Sequence, residues 1–246
     1  MARNRKNYKN RNNKNRNNKN RNKGGNVFIP KFFWKENQGV SGRYAGVLEI
    51  NEKGWGLIRK LDYEFSYSPQ DPFLKPEEVK SLDLRPGLIL EGEYEEDKRG
   101  NKHVCSVDRI NRKDKVAWTK SSRFERQTPI MPVDWIKLGE PSDNIEMRVI
   151  DLVAPIGKGQ RALIVAPPRT GKTVMLKQIA KSITENHPDI PLSVLLVDER
   201  PEEVTDFIRS TDAEVFASSN DNKTQSHIRI TEMALGYAKR KAEMGE

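Results

Sequence analysis

The chain has 246 residues, of which 35% are apolar, and it carries one cysteine and a net charge of +9. This length predicts two domains of ordinary size, and a single cysteine excludes an intrachain disulfide framework. No apolar stretch approaches the roughly 18 residues that a membrane span needs, and no secretory signal pattern follows Met1. We therefore expect a cytoplasmic protein without a membrane segment.

The first 25 residues hold five Arg, five Lys and no acidic residue, a charge of +10 that leaves the rest of the chain near −1. Residues 1–40 form an Asn/Lys/Arg-rich segment with little apolar surface to bury, so we expect a disordered tail. A flexible polycation can bind nucleic acid through salt-sensitive phosphate contacts. A solubilising extension is the alternative interpretation.

Residues 41–112 alternate short β-rich runs with turns such as NEKG and LRPG. The expected strands lie at 44–50, 55–60, 73–74, 88–95 and 104–110. Five short strands in about seventy residues predict a small all-β barrel of the cold-shock or oligonucleotide-binding (OB) type. Another kind of small β-barrel fits the same pattern.

The stretch KGWGLIRK in this region predicts a surface for single-stranded RNA. Strand side chains repeat every two residues, so Trp55, Leu57 and Arg59 share one face. An aromatic ring beside a cation suits base stacking next to a phosphate or base-edge contact, and Phe73 is a second candidate platform. Spacing alone allows Trp55 to be a core residue equally well.

Residues 113–145 contain Pro129, Pro132 and Pro141 and no sustained period, which predicts a connector. In residues 146–246, apolar runs of strand length at 162–165, 193–197 and 214–217 alternate with amphipathic segments of helix length. This alternation predicts a parallel α/β domain.

The segment APPRTGKT, residues 166–173, lies between an apolar run and a helical pattern, as a phosphate-binding P-loop does. Lys172 would reach the phosphates of ATP, and Thr173 would offer its hydroxyl to Mg²⁺. Ala166 occupies the first glycine position of the motif, and a basic helix cap is the alternative. The other expected nucleotide contacts are Pro168, Arg169, Thr170, Gly171 and Val174.

The run VDERPEEV predicts carboxylates at the carboxyl end of a strand, beside the P-loop, where open α/β sheets bind ligands. We expect Glu199 to activate the attacking water, with Lys172 and Arg200 as the other catalytic residues and Asp198 in support. The alternative is that Asp198 and Glu199 cap the helix that starts at Pro201.

Over residues 43–246 the chain resembles the Rho family of bacterial transcription termination factors. The resemblance rests on the stretches GVLEI, GWGLIRK, DLRPG, RVIDLVAPIGKGQRALIVAPPRTGKT and NHPDIPLSVLLVDERPEEVTD. It implies a cold-shock-type barrel that reads pyrimidine-rich single strands, followed by a RecA-like motor. Such a motor uses ATP and Mg²⁺, assembles as a homohexamer, moves along nascent RNA and releases the transcript from RNA polymerase.

The resemblance also assigns residues. The family's ribonucleoprotein motif falls on residues 54–59, its second aromatic on Phe73, and its P-loop lysine and threonine on Lys172 and Thr173. Its water-activating glutamate falls on Glu199. The family usually has an aromatic residue at the Leu57 position and a tyrosine at the Phe73 position, and its acidic/aromatic base-reading pair has no clean counterpart at residues 99–102.

The family continues with a Mg²⁺-binding strand, RNA-gripping loops and an arginine finger, which do not occur before Glu246. We therefore expect a partial sequence, with RNA-dependent ATPase and helicase activity in the complete protein and little or no hydrolysis by this chain alone. Two alternatives stay open. One is a non-catalytic single-stranded RNA-binding fragment with an incomplete nucleotide-binding domain, and the other is a subunit like those of rotary ATPases.

Overall fold

The computed structural model describes residues 41–140, 144–167 and 169–245, apart from the side chain of Ser41. The predicted tail, residues 1–40, and Pro168 of the predicted P-loop lie outside these ranges. Within them, no helix has the length and apolar character needed to cross a lipid bilayer.

The first part of the chain folds into a closed barrel. Its strands are β1 (Ser41–Ile50), β2 (Gly56–Arg59), β3 (Phe73–Leu74), β4 (Ile89–Glu96), β5 (Lys102–Ile110) and β6 (Lys113–Asp114), and helix α1 (Pro76–Ser81) lies between β3 and β4. The sheet order is β3-β2-β1-β4-β5-β6, and a parallel pairing of β3 with β5 closes it. The prediction of a small closed barrel is confirmed, while α1 and β6 were not predicted.

The barrel has a continuous apolar core because alternate strand residues point inward. Leu48, Leu74, Leu90 and Ile110 are each fully buried. Trp118, on helix α2 (Lys115–Thr119), joins this core, and its indole Nε1 donates a hydrogen bond to the carbonyl of Leu82 at 3.0 Å. The start of the predicted connector is therefore packed onto the barrel.

The rest of the chain alternates helices with short strands. A 3-10 turn at Phe124–Arg126 precedes β7 (Trp135–Ile136), α3 (Ile145–Val153), β8 (Ile156–Gly157), α4 (Lys172–Asn186), β9 (Ser193–Glu199), α5 (Pro201–Ser210), β10 (Glu214–Ser219) and α6 (Thr224–Glu243). The predicted helices after residue 171 and the strands at 193–197 and 214–217 are confirmed. Proline in the first turn favours the start of α5, since its missing N–H has no role there.

One predicted strand is wrong. Residues 162–165 lie in a segment without regular structure, and Leu163 and Val165 are 87% and 84% exposed. A strand needs a neighbour for its backbone hydrogen bonds, and the described residues supply none to this run. The parallel sheet therefore contains β9 and β10 alone within the described ranges.

Helix α6 packs against the barrel through an apolar cluster that joins Val47, Phe65 and Ile89 of the barrel to Phe216, Ile230, Met233, Ala234 and Tyr237. The approach is close at Gly87, which has a φ of +90° and where an added Cβ would lie 2.2 Å from the carbonyl carbon of Gly236. Asn111 reinforces the contact, since its side chain accepts from the amide of Ile89 and donates to the carbonyl of Arg240.

Candidate nucleic-acid and nucleotide sites

The predicted RNA residues meet on one face of β2 and β3. The rings of Trp55 and Phe73 lie 5.7 Å apart, and Leu57 pairs with Phe73 across the two strands. Trp55 is 7% exposed, so most of its ring is buried, whereas Leu57 and Phe73 are half-buried. The structure thus places Trp55 mainly in the barrel wall and leaves Phe73 more accessible.

His103 adds a third ring to this face that the sequence did not predict. It is paired with Phe73 across β3 and β5, and the two rings lie edge to face with centroids 6.2 Å apart. Its Nε2 lies 3.6 Å from a carboxylate oxygen of Asp97. The only sequence signal is an aromatic side chain near the start of a strand, because the pairing that brings it to Phe73 spans thirty residues of chain.

Arg59 is held between two carboxylates. Its guanidinium contacts Glu49 and lies 2.8 Å from Asp71, and its side chain is 7% exposed. The ring of Tyr67 lies over the guanidinium, 5.0 Å from carbon to ring centroid. Glu49 also pairs with Arg229 of α6 at 3.0 Å, so both positive charges are balanced. Arg59 is therefore better suited to orienting Glu49, Asp71 and Tyr67 than to neutralising a phosphate.

The indole N–H of Trp55 has no hydrogen-bond acceptor among the described residues. A buried donor without a partner costs about 1–3 kcal/mol. Because this nitrogen is itself buried, the cost is part of placing Trp55 in the barrel wall.

The predicted P-loop leads directly into α4. Gly171 is the residue before the helix, with a φ of +86°, a conformation that favours glycine. Arg169 also has a positive φ of 65°, and the hydroxyl of Thr170 donates to the carbonyl of Pro167 at 2.8 Å. No described side chain caps the helix, so its first amides remain available for an anion.

Lys172 and Thr173 occupy the first turn of α4, with Lys172 and Val174 exposed and Thr173 half-buried. The apolar face predicted for this helix is only partly covered, because Ala180 and Ile183 are buried but Leu176 is 36% exposed. The exposed end of the helix is the one that carries the P-loop residues.

Glu199 ends β9 and has a perturbed acidity. Burial raises its pKa, and so do the charge of Glu203 and a hydrogen bond with that side chain. The positive charge of Lys172, the lysine of the predicted P-loop, acts in the opposite direction and lowers this pKa. A carboxylate with a raised pKa binds a proton more tightly than a free glutamate and is a stronger base.

The backbone is irregular where the predicted acidic residues lie. Asp198 has a φ of 60°, and the pairing of β9 with β10 shifts register so that Ser219 faces Glu199. Bulges of this kind re-aim side chains and often lie beside functional sites. Arg200 is exposed at the residue before α5, and neither it nor Asp198 is seen to cap that helix with its side chain.

No group of three or more His, Cys, Asp or Glu side chains in the described ranges is arranged to hold a metal ion. The hydroxyl of Thr173 therefore stays the predicted contact to a nucleotide-bound Mg²⁺.

Two family models match these two regions. Residues 44–115 match the Rho termination factor RNA-binding domain, and residues 146–245 match the nucleotide-binding domain of the ATP synthase alpha/beta family. The fold and these matches define a class of protein in which an RNA-binding barrel is joined to a nucleotide-binding domain.

Particular relatives share this arrangement. The chain is 40% identical over 214 residues to transcription termination factor Rho of Chromobacterium violaceum, covering 85% of this chain and 51% of the relative. It is 42% identical over 207 residues to transcription termination factor Rho 1 of Ehrlichia chaffeensis, covering 81% and 49%. The predicted resemblance to the Rho family is confirmed, and the chain spans about half the length of these curated relatives.

Proposed function

We propose that the chain is the RNA-binding and first nucleotide-binding portion of a transcription termination factor that works as an RNA-dependent ATPase and helicase. The observation that carries the proposal is the union in one chain of a barrel with an aromatic face and a P-loop whose lysine neighbours a strand-end glutamate. The similarity to Rho of several bacteria supports it. We propose the division into residues 41–112, 113–145 and 146–246 on the same grounds.

Single-stranded RNA is the proposed ligand of the barrel. Phe73 offers a stacking surface, Leu57 lies beside it, and the ring of Trp55 packs against Phe73 with centroids 5.7 Å apart. Arg59 would fix the geometry of this face through its two carboxylate contacts. Stacking is tolerant of base identity, so the face suits flexible single strands.

ATP is the proposed ligand of the P-loop. The uncapped amides at the start of α4 and the Lys172 ammonium would hold the phosphates. Pro168, Arg169, Thr170, Gly171 and Val174 are the other proposed nucleotide contacts. Bound Mg²⁺ would supply charge neutralisation on the phosphates, held in part by Thr173. Glu199 would accept a proton from the attacking water, and exposed Arg200 would support the developing charge.

We further propose that the complete factor forms a homohexamer in the cytoplasm and acts on the RNA polymerase transcription complex. The chain alone would hydrolyse ATP poorly, because residues 162–165 next to the P-loop lack a strand partner in the described part. The same observation favours a second candidate, a single-stranded RNA-binding fragment whose nucleotide-binding region is inert.

RNA-stimulated ATP hydrolysis tests the proposal when it is measured on this chain and on a version extended to the length of its relatives. We expect stimulation in the extended version, and we expect Lys172→Ala to abolish it while RNA affinity stays unchanged. If RNA does not stimulate ATP hydrolysis in either version, the motor hypothesis is wrong and the RNA-binding alternative stands.

A further inference from the structure

Tyr67 is a large exposed ring that no predicted role explains. Its residue is 58% exposed, and one face of its ring covers the guanidinium of Arg59. From this geometry we infer that Tyr67 is an additional base-stacking platform. It would bind one nucleobase of the single-stranded RNA in addition to those bound at the face of Trp55 and Phe73. The inference rests on the proposed RNA-binding function.

The loop that carries Tyr67 is held in place before any ligand arrives. The ring of Phe65 is fully buried and stacks on Phe216, with centroids 4.7 Å apart. The carboxylate of Asp62 accepts the amide of Ser66 at 2.8 Å, and the carboxylate of Asp71 accepts the amide of Ser68 at 2.9 Å. Ordering these groups in advance lowers the entropic cost of stacking a base on Tyr67.

The position of Tyr67 continues the aromatic face already described. The ring of His103 contacts the ring of Phe73, which in turn contacts the ring of Trp55. Arg59 follows Trp55 by four residues, about 13 Å at the rise of a strand. Leu57, which pairs with Phe73, lies between Trp55 and Arg59, so Tyr67 adds a ring at the Arg59 end of this strand.

The local charges favour a base over a phosphate as the ligand at this point. Arg59 already contacts Glu49 and Asp71, and Glu49 also pairs with Arg229. Because these carboxylates balance the charge of Arg59, its attraction for an RNA phosphate is weak. Its guanidinium instead packs against one face of the Tyr67 ring. Tyr67 is 58% exposed, and its ring would accept any base by stacking, because every base has a π-face.

The test is the affinity of the full chain for a single-stranded RNA of about twelve nucleotides, measured by fluorescence anisotropy over a series of salt concentrations. We expect Tyr67→Ala to weaken binding about 5- to 150-fold, Tyr67→Phe to keep wild-type affinity, and the slope of affinity against salt to stay unchanged. Tyr63→Ala is the matched control, since Tyr63 is 47% exposed in the same loop. Thermal unfolding verifies that each variant is folded.

The outcomes separate this inference from the proposed function. Wild-type affinity in Tyr67→Ala together with a loss in Phe73→Ala would overturn the Tyr67 platform and leave the RNA site standing. A changed salt slope in Tyr67→Ala would show that the ring only shields Arg59, and would also overturn it. If neither Tyr67→Ala nor Phe73→Ala weakens binding, the proposed RNA site fails and the platform fails with it.

Discussion

The barrel and the P-loop region differ in how completely their apolar residues are covered. Leu48 and Leu74 on the barrel strands are fully buried, whereas Leu163 and Val165 before the P-loop are more than four-fifths exposed. The barrel closes on itself through β3 and β5, but the sheet of β9 and β10 has no further strand in the described residues. The difference teaches that a ligand face can be fully supported by a short segment of chain when its sheet is closed.

The largest effect we expect is on the barrel core. Leu48→Ala removes a fully buried side chain, and we expect it to lower the free energy of unfolding by about 2–5 kcal/mol. Leu163→Ala, at an 87% exposed position, should change it by no more than about 0.5 kcal/mol. Urea denaturation measures both, and similar losses for the two variants would contradict the contrast between the regions.

Gly87→Ala tests the contact between the barrel and α6. The new Cβ would clash with the backbone of Gly236, so we expect a loss about 1–3 kcal/mol greater than that of Gly100→Ala. Gly100 also has a positive φ but has no atom within 4 Å of an added Cβ, so it is the matched control for backbone strain alone. Equal unfolding free energies for the two variants would show that α6 does not pack there.

The pH dependence of stability should have opposite signs in the two regions. Burial raises the pKa of Asp97 in the barrel, but hydrogen bonds from Asn101 and from the amide of Arg99 outweigh burial and lower this pKa from 3.8 to about 2. The native state therefore binds fewer protons than the unfolded chain, and this stabilisation is present above pH 3.8 and lost as pH falls towards 2.

Glu199 should act in reverse, because burial and Glu203 raise its pKa above the ordinary 4.5. The native state then binds protons more tightly, and stability falls as pH rises from 4.5 through the raised pKa. Unfolding measured across pH should lose the acid-side slope in Asp97→Asn and the opposite slope in Glu199→Gln. An unchanged profile in Glu199→Gln would mean that the carboxyl is not perturbed.

The smallest effect we expect is at the ion pair between Glu49 and Arg229. The partly exposed ion pair contributes about 1 kcal/mol or less, and Arg229 also donates to the carbonyls of Glu64 and Phe65, so Arg229→Gln should cost about 1–2 kcal/mol in unfolding free energy. Lys181→Gln, which removes an exposed pair with Glu185 on α4, is a suitable control. A loss of several kcal/mol in Arg229→Gln alone would show that this contact governs the packing of α6.

Local pattern predicted much of the fold. The apolar run that ends in Asp198 and Glu199 became β9, and the amphipathic pattern after Gly171 became α4. The run at 162–165 has the same local signal but forms no strand, since strand formation depends on a neighbour that the run itself does not specify.

The sequence suggests candidate site residues where a motif carries the chemistry, as at Lys172 and Glu199, and their roles stay predictions. His103 and Tyr67 were missed for different physical reasons. His103 reaches Phe73 only through the pairing that closes the barrel. Tyr67 reaches Arg59 through a loop in which Phe65 adopts a φ of 49°, which no periodicity reports.

The central claim is that the barrel reads unpaired bases through its aromatic face. Its most direct test compares the affinity of the chain for a single-stranded RNA and for a duplex of the same sequence at one salt concentration, with and without Phe73→Ala. We predict tighter binding of the single strand, and a loss of about 5- to 150-fold for that strand alone in the variant. Equal affinity for both RNAs, unaffected by Phe73→Ala, would contradict the account.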